Sequence, residues 1–291
     1  MSRRIILGAC ALFFAAFIAK AQGEALSFTR TEVSPVLQGT AGAAIAVQDG
    51  PWSAFRAAAA GACMDKMVSA GAGFRFLSGD LLFNGAAGFA LSDNMAVYVG
   101  GLYNAGAVVS DYRTNFMVVA AGFGFGITDG LSVGANLRYA RQSLTPENNY
   151  GGVSVDLSVR GTVSDNFALI SGVSTLGGKV TSASGDSYSQ PAHVFAGADY
   201  SAEVADLGVL CLDAMGEYYF SGNYAAAAGL RFGFLEYFNL MAGYRYASSA
   251  SVLPSYFAVG GGAAVAGFKI DVTYMKYPSG NGVGLGLSYA F

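Results

Sequence analysis

GVGLGLSYAF, residues Gly282 to Phe291, puts Val283, Leu285, Leu287, Tyr289 and Phe291 on one parity and only Gly284, Gly286, Ser288 and Ala290 on the other. A period of two is the signature of a β-strand. This strand has one apolar face, one nearly bare face and an aromatic end. The pattern recurs upstream. In LSVGANLRYARQ, Leu131, Val133, Ala135, Leu137 and Tyr139 oppose Ser132, Gly134, Asn136, Arg138 and Gln142. GGVSVDLSVRG sets Val153, Val155, Leu157 and Val159 against Ser154, Asp156, Ser158 and Arg160, and GFKIDVTYMK sets Phe268, Ile270, Val272 and Tyr274 against Lys269, Asp271 and Thr273.

Strands with one apolar face each need an apolar neighbour. The 291-residue chain is 53% hydrophobic with 41 glycines and only 12% charged residues, and its mean hydropathy is +0.43. That is too apolar for an ordinary soluble domain and too rich in glycine for a helical bundle. A helical membrane span needs about 20 apolar residues, yet apolar stretches such as Phe116–Ile127 stop at polar turns such as Thr128-Asp129-Gly130. A membrane β-strand needs only about 9–11 residues. The pattern predicts an all-β protein, a transmembrane antiparallel β-barrel of the outer-membrane kind. Proline cannot serve a central ladder, and all six fall outside the predicted strand interiors: Pro35 and Pro51 in the N-terminal segment, Pro146, Pro254 and Pro278 in loops, and Pro191 at a strand start.

Turn residues divide residues 67–291 into fourteen predicted strands, among them Met95–Gly106, Asn115–Ile127, Pro191–Ala202 and Val283–Phe291. Short turns at Asp93, Asp129, Asp165, Glu203–Asp206, Glu236 and Ala266-Gly267 alternate with mostly longer connections such as AVVSDYRT (107–114), SLTPENN (143–149) and LGGKVTSASGDSYSQ (176–190). Short turns of outer-membrane barrels face the periplasm, so both chain ends are expected there. Asp93, Asp129 and Asp165 recur every 36 residues, one hairpin plus one loop, without the consensus core of a solenoid.

Residues 1–21 read as a secretory signal peptide: Arg3 and Arg4, an apolar run from Ile5, and the small-x-small site Ala19-Lys20-Ala21. Leu7-Gly8-Ala9-Cys10 has the letters of a lipobox but sits too early in the apolar run to act as one. Residues 22–66 do not alternate. TAGAAIAVQDG and PWSAFRAAAAGACMDK, with the lone Trp52, read as short helices or compact coil, and the expected use is a lumenal plug or periplasmic hatch; the alternative is a loosely docked tail.

GTAGAAIAVQDG (Gly39–Gly50), a small-residue stretch ending in an acidic turn, and the closing YFAVGGGAAVAGFKIDVTYM (Tyr256–Met275) with GLGLSYAF (Gly284–Phe291) resemble the PorV/PorQ family of Bacteroidota-type outer-membrane proteins, which share the fourteen-stranded architecture of FadL-type transporters. The asparagine-proline-alanine element usual after the acidic turn is replaced by Ala57–Ala60. The resemblance implies the outer membrane of a Gram-negative bacterium. It also implies one of two roles: work with a type IX-like secretion system, with secretion components or exported proteins as partners, or passage of small hydrophobic molecules. The terminal Phe291 resembles the ending that the barrel-assembly machinery recognises.

On the inward parity stand Arg75, Asn136, Arg138, Asp156, Arg160, Asp199, Asp213, Glu217, Arg231, Arg245, Lys269 and Asp271. They are candidates to line a path or hold a plug, against the plainer reading that they pair with one another to close a narrow lumen. His193, near Ser187 and Ser189, is the one candidate for a hydrolase, but sequence proximity supplies neither nucleophile nor orienting partner, so no enzyme is expected. One histidine, with Cys63 and Cys211 far apart, argues against a metal site, and no cofactor is expected. The net charge of −3 argues against nucleic acid as a partner. Tyr98, Tyr103, Tyr139, Tyr218, Tyr219, Tyr244, Tyr274 and Tyr277 stand near strand ends, where tyrosine anchors a barrel against membrane lipid, and most fall on the lipid parity.

Overall fold

The computed structural model describes residues 24–291 apart from 48–49, 63, 65–66, 78–79, 110–111, 146–148, 183–184 and 250–253. The signal peptide, Cys10, Cys63 and Pro146 lie outside the described residues. Strands run β1 (Val68–Leu77), β2 (Asp80–Ser92), β3 (Met95–Val109), β4 (Tyr112–Thr128), β5 (Leu131–Ser143), β6 (Asn149–Ser164), β7 (Phe167–Gly177), β8 (Val180–Thr181), β9 (Ser187–Tyr188), β10 (His193–Val204), β11 (Gly208–Tyr219), β12 (Tyr224–Phe234), β13 (Phe238–Ala247), β14 (Tyr256–Val265), β15 (Phe268–Tyr277) and β16 (Gly280–Ala290). All but β8 and β9 form one closed antiparallel barrel of fourteen strands, each paired with its neighbours in chain order.

Closure follows from the solvent. In hydrocarbon an unpaired strand edge leaves backbone groups without partners, so a spanning sheet has to meet itself. Here β1 meets β16 from Ser69 opposite Ala290 to Leu77 opposite Gly282. The terminal residue adds the last rung: Val68 N–H donates to the Phe291 carbonyl at 3.1 Å, and Phe291 N–H donates to the Val68 carbonyl at 3.0 Å. No described helix is long and apolar enough to cross a membrane; the chain crosses with strands. Leu137, Val153, Leu157, Phe257, Ile270, Val272, Leu285 and Leu287 all point outward and are exposed, forming the apolar belt that lipid requires.

The strands depart from the sequence expectation in three places. β3 and β4 run to Val109 and from Tyr112, through a stretch read as loop, because a register shift between Ala105 and Val108 absorbs the irregularity. The long connection after β7 holds the small hairpin β8–β9. Pro191 lies just before β10 rather than at its first residue. Among the tyrosines, Tyr98, Tyr219 and Tyr277 turn inward and are buried, while Tyr103, Tyr139, Tyr218, Tyr244 and Tyr274 face out.

Leu137→Arg, a charge on the outward face of a central strand, is expected to cost about 2–4 kcal/mol near the bilayer midplane, read as a lowered urea midpoint for unfolding from liposomes.

Candidate functional site

The bare face of the last strand is not open lumen. Residues 24–47 and 50–62 enter the barrel and lie against the inner wall: a 3₁₀ turn at Ser27–Arg30, the helix α1 (Pro35–Gly39), and 3₁₀ turns at Gly50–Phe55 and Ala58–Gly61. Local chemistry starts α1 where it does. Proline at the first helical position costs no hydrogen bond, and the Ser34 Oγ caps it by accepting from Leu37 N–H at 3.3 Å.

Lumenal glycines make room for this segment. A β-carbon on Gly286 would overlap the ring of Pro35, and one on Gly284 the side chain of Gln38. At Gly134 and Gly124 it would overlap the backbone of Ala58–Ala62, and at Gly243 the backbone of Thr40. Backbone is the obstacle at these last three positions, so no rotamer change relieves the clash.

Wall side chains then bind the segment's main chain. Ser132 Oγ donates to the Ala59 carbonyl at 2.7 Å, and Ala59 N–H donates to Ser158 Oγ at 3.2 Å. Asn136 Nδ2 donates to the Ser53 carbonyl at 3.2 Å, Arg138 Nη1 to the Thr29 carbonyl at 3.3 Å, and Arg160 Nε to the Ala46 carbonyl at 2.8 Å. The Tyr98 hydroxyl reaches the Gly61 carbonyl.

An ionic network ties segment to wall. Arg56 Nη2 donates to Glu217 Oε1 at 2.8 Å and stands 3.1 Å from Glu32 Oε1; the other oxygen of Glu217 takes Arg245 and the Tyr219 hydroxyl. All of these side chains are buried. Burial pulls the Arg56 guanidinium down, but Glu32 and Glu217 outweigh it and hold its affinity for the proton above the ordinary value. Burial raises the Glu32 carboxyl despite Arg56.

The inward residues named from sequence take different parts. Asn136, Arg138 and Arg160 hold the segment's backbone, and Glu217 and Arg245 belong to the ionic network. Asp156 pairs with Arg138 and accepts from Ser174 Oγ at 2.8 Å and Thr175 N–H at 2.7 Å, pinning an irregularity where β7 leaves the register of β6. Arg231 bridges Asp199 at 2.5 Å and Asp213 at 2.8 Å, beside a cavity of 330 Å³ at the short-turn end, and Lys269 meets Asp271 at 3.3 Å on the other side of the same end. Arg75 is buried and makes no ion pair among the described residues. Phe291 closes the wall, as described. Sequence reading missed Ser132, Ser158, Tyr98 and Thr273, small or aromatic residues whose inward parity was visible but whose partner was not. It also missed Arg56, Glu32 and Gln38, which lie where no period applies.

His193 is buried; its Nδ1 lies 3.1 Å from the Pro191 carbonyl, while Nε2 has no hydrogen-bond partner among the described residues and stands 3.9 Å from Glu217. Ser187 is occupied elsewhere, with Thr181. Opposite the charged network lies an apolar cluster in which Leu26, Phe28, Trp52, Phe55, Leu82, Leu102 and Val118 pack together and Phe28 stacks on Phe116 at 4.3 Å between ring centres.

No protein-family model matches the chain, and no curated protein sequence matches it. Solved structures do. The toluene transporter TbuX of Ralstonia pickettii superposes with a TM-score of 0.69 at 11% identity, over 91% of this chain and 100% of its own. The toluene transporter TodX of P. putida gives 0.68 at 12%, over 89% and 98%. A Pseudomonas aeruginosa FadL homologue gives 0.62 at 12%, over 95% and 100%. At these identities the likeness establishes the fold alone: a closed fourteen-stranded antiparallel barrel of the outer-membrane kind. These neighbours are Gram-negative outer-membrane barrels and transport proteins rather than enzymes.

Glu217→Gln leaves Arg56 and Arg245 buried without their shared carboxylate and is expected to destabilise the protein by about 3–5 kcal/mol, seen as a lowered temperature at which samples heated in steps lose the compact barrel band on gels. A second expectation concerns Glu32. A seated segment keeps the Glu32 proton to higher pH than a displaced one, so the seat is strongest below the ordinary carboxylate value of 4.5 and weakens as pH rises through the raised value. Protease cleavage of the segment should therefore increase with pH in the natural protein and less so in Glu32→Gln; parallel profiles would remove the linkage.

Proposed function

We propose that this protein is a plugged outer-membrane barrel that admits small hydrophobic molecules. The observation that carries the reading is the likeness over nearly the whole chain to barrels described as toluene transporters, together with the apolar half of the lumen around Phe28, Phe116, Leu82 and Leu102. Aromatic and branched aliphatic side chains offer a small hydrocarbon contact without a hydrogen bond to break. The packed N-terminal segment makes the resting barrel a closed one, and a solute enters by competing for the apolar surface that the segment now covers.

The secretion role implied by the PorV/PorQ resemblance is the second reading. It draws on GTAGAAIAVQDG and the C-terminal strands, but a lumen filled to the wall at Gly134 and Gly243 leaves no space for an exported polypeptide, so such a role would use the outer surface or the loops.

Removing the gene should slow uptake of radiolabelled toluene by intact cells, with recovery on re-expression, and leave the set of exported proteins unchanged. Loss of defined exported proteins with uptake intact would reverse the order of the two readings.

A further inference from the structure

A charged side chain on the lipid-facing wall of a barrel is costly at mid-membrane and cheap only near the headgroups. Among the described residues three charges stand on the outward parity of barrel strands: Arg113 on β4, Arg141 on β5 and Lys276 on β15. Each is exposed and shares its parity with exposed apolar neighbours, Val119, Leu137 and Val272 respectively. All three are cations, and all three lie at the long-loop ends of their strands. The short-turn ends carry the opposite sign, with Asp93, Asp129, Asp165, Glu203 and Glu236 exposed in or beside their turns. Charge is therefore sorted across the membrane, and the outward cations sit on the side that the long loops face, the outer leaflet.

Two of the three share one patch. Arg141 lies opposite Met117 of β4 and Gly151 of β6. Arg113 stands one full strand turn of side chains beyond Met117 on β4, so the two arginines start about 14 Å apart on neighbouring strands, a gap that two long, flexible side chains close on one ligand. Asn115 stands between them on the same parity, opposite Ser143. At Gly151 the missing side chain leaves a notch, and the Tyr139 hydroxyl reaches its edge, 3.1 Å from where a β-carbon would be. Arg141 makes no hydrogen bond or ion pair among the described residues, and the Arg113 guanidinium donates to the Gly106 carbonyl at a long 3.5 Å. Lys276, by contrast, is engaged by Asn281 Oδ1 at 2.9 Å. Below the two arginines the outward wall turns apolar at Val119, Leu137 and Val153.

We propose that this outward patch of β4–β6 binds a phosphorylated glycolipid of the outer leaflet, one molecule per barrel. Guanidinium groups offer paired N–H donors that match phosphate oxygens, which a hydroxyl or a single ammonium does not. A headgroup with two phosphates set apart by sugar rings spans the interval between Arg113 and Arg141; a lone phosphodiester meets only one of them. The Tyr139 hydroxyl and the Asn115 amide are placed to meet sugar hydroxyls, and the apolar wall beneath receives the acyl chains. The proposal rests on the outer-membrane placement of the barrel and not on what its lumen admits.

The test is lipid binding by the purified full-length protein in zwitterionic detergent, titrated with diphosphorylated lipid A and read by native mass spectrometry. The natural protein should hold one molecule. Combining Arg113→Gln with Arg141→Gln should weaken binding by about tenfold or more, the loss of at least one charge-assisted hydrogen bond. Lys276→Gln, which removes an equally exposed outward cation across the barrel, should leave binding nearly unchanged. Fully dephosphorylated lipid A, with the same sugars and chains, should not be held. The substituted side chains all face outward, so each variant should still give the compact barrel band. No adduct with the natural protein, equal binding by the double variant, or equal binding of the dephosphorylated lipid would overturn the site. Equal binding of phosphatidylglycerol would overturn the glycolipid as its occupant.

Discussion

Main chain lies directly on main chain inside this barrel. The backbone around Ala58 and Ala59 rests on Gly124 and Gly134, and that of Thr40 on Gly243, at separations that no residue with a β-carbon permits. Contact of this kind is unforgiving in both directions: the wall cannot acquire side chains at these positions, and the segment cannot shift without opening voids against a surface that has nothing flexible to fill them. The position of every polar tie follows from it. Ser132, Ser158, Asn136 and Arg138 can satisfy carbonyls and N–H groups of the segment because the glycines bring that backbone within reach.

Electrostatics divides the lumen that remains. The side formed by β2–β4 carries most of the aromatic and aliphatic cluster, while Glu217, Arg245, Arg56 and Glu32 gather on the other. A buried ion pair contributes little net stability once desolvation is counted, but removing one member is expensive. The network therefore acts less as glue than as a key: it penalises any seating of the segment that separates Arg56 from Glu217. The same cost explains why the inward charges that form ion pairs stand directly beside their partners, Arg138 by Asp156 and Arg231 by Asp199 and Asp213.

The wall was readable in the chain, because a sheet wetted by lipid on one side must alternate and must turn at its ends. LSVGANLRYARQ carries its parity in plain view, and Asn136 and Arg138 come out on the inner face for that reason. What the parity could not convey is what the inner face meets. Gly284 and Gly286 read as space, yet they are the seat of Gln38 and Pro35, since absence of a side chain looks the same whether water or backbone occupies the gap. Tyr98 and Tyr219 were misjudged because an aromatic near a strand end suits the membrane interface as well as it suits a buried hydroxyl partner. A polar stretch between two strand patterns hides strand extensions, as with β3 and β4, since one register shift accommodates it. The FadL-type architecture was reached through a resemblance and not through specific site residues: at 11–12% identity to the toluene transporters, alternation and turn spacing survive while specific residues do not.

The rung between Val68 and Phe291 joins positions at opposite ends of the wall, and the segment that precedes Val68 touches both sides of that seam, Trp52 at Gly71 and Pro35 at Gly286. Ring closure over so long a stretch of chain is the slow, entropically costly event in building such a topology. The filling is thus positioned to serve as the mandrel on which the cylinder is wound, and its residues bear on the yield and timing of biogenesis as much as on the permeability of the finished protein.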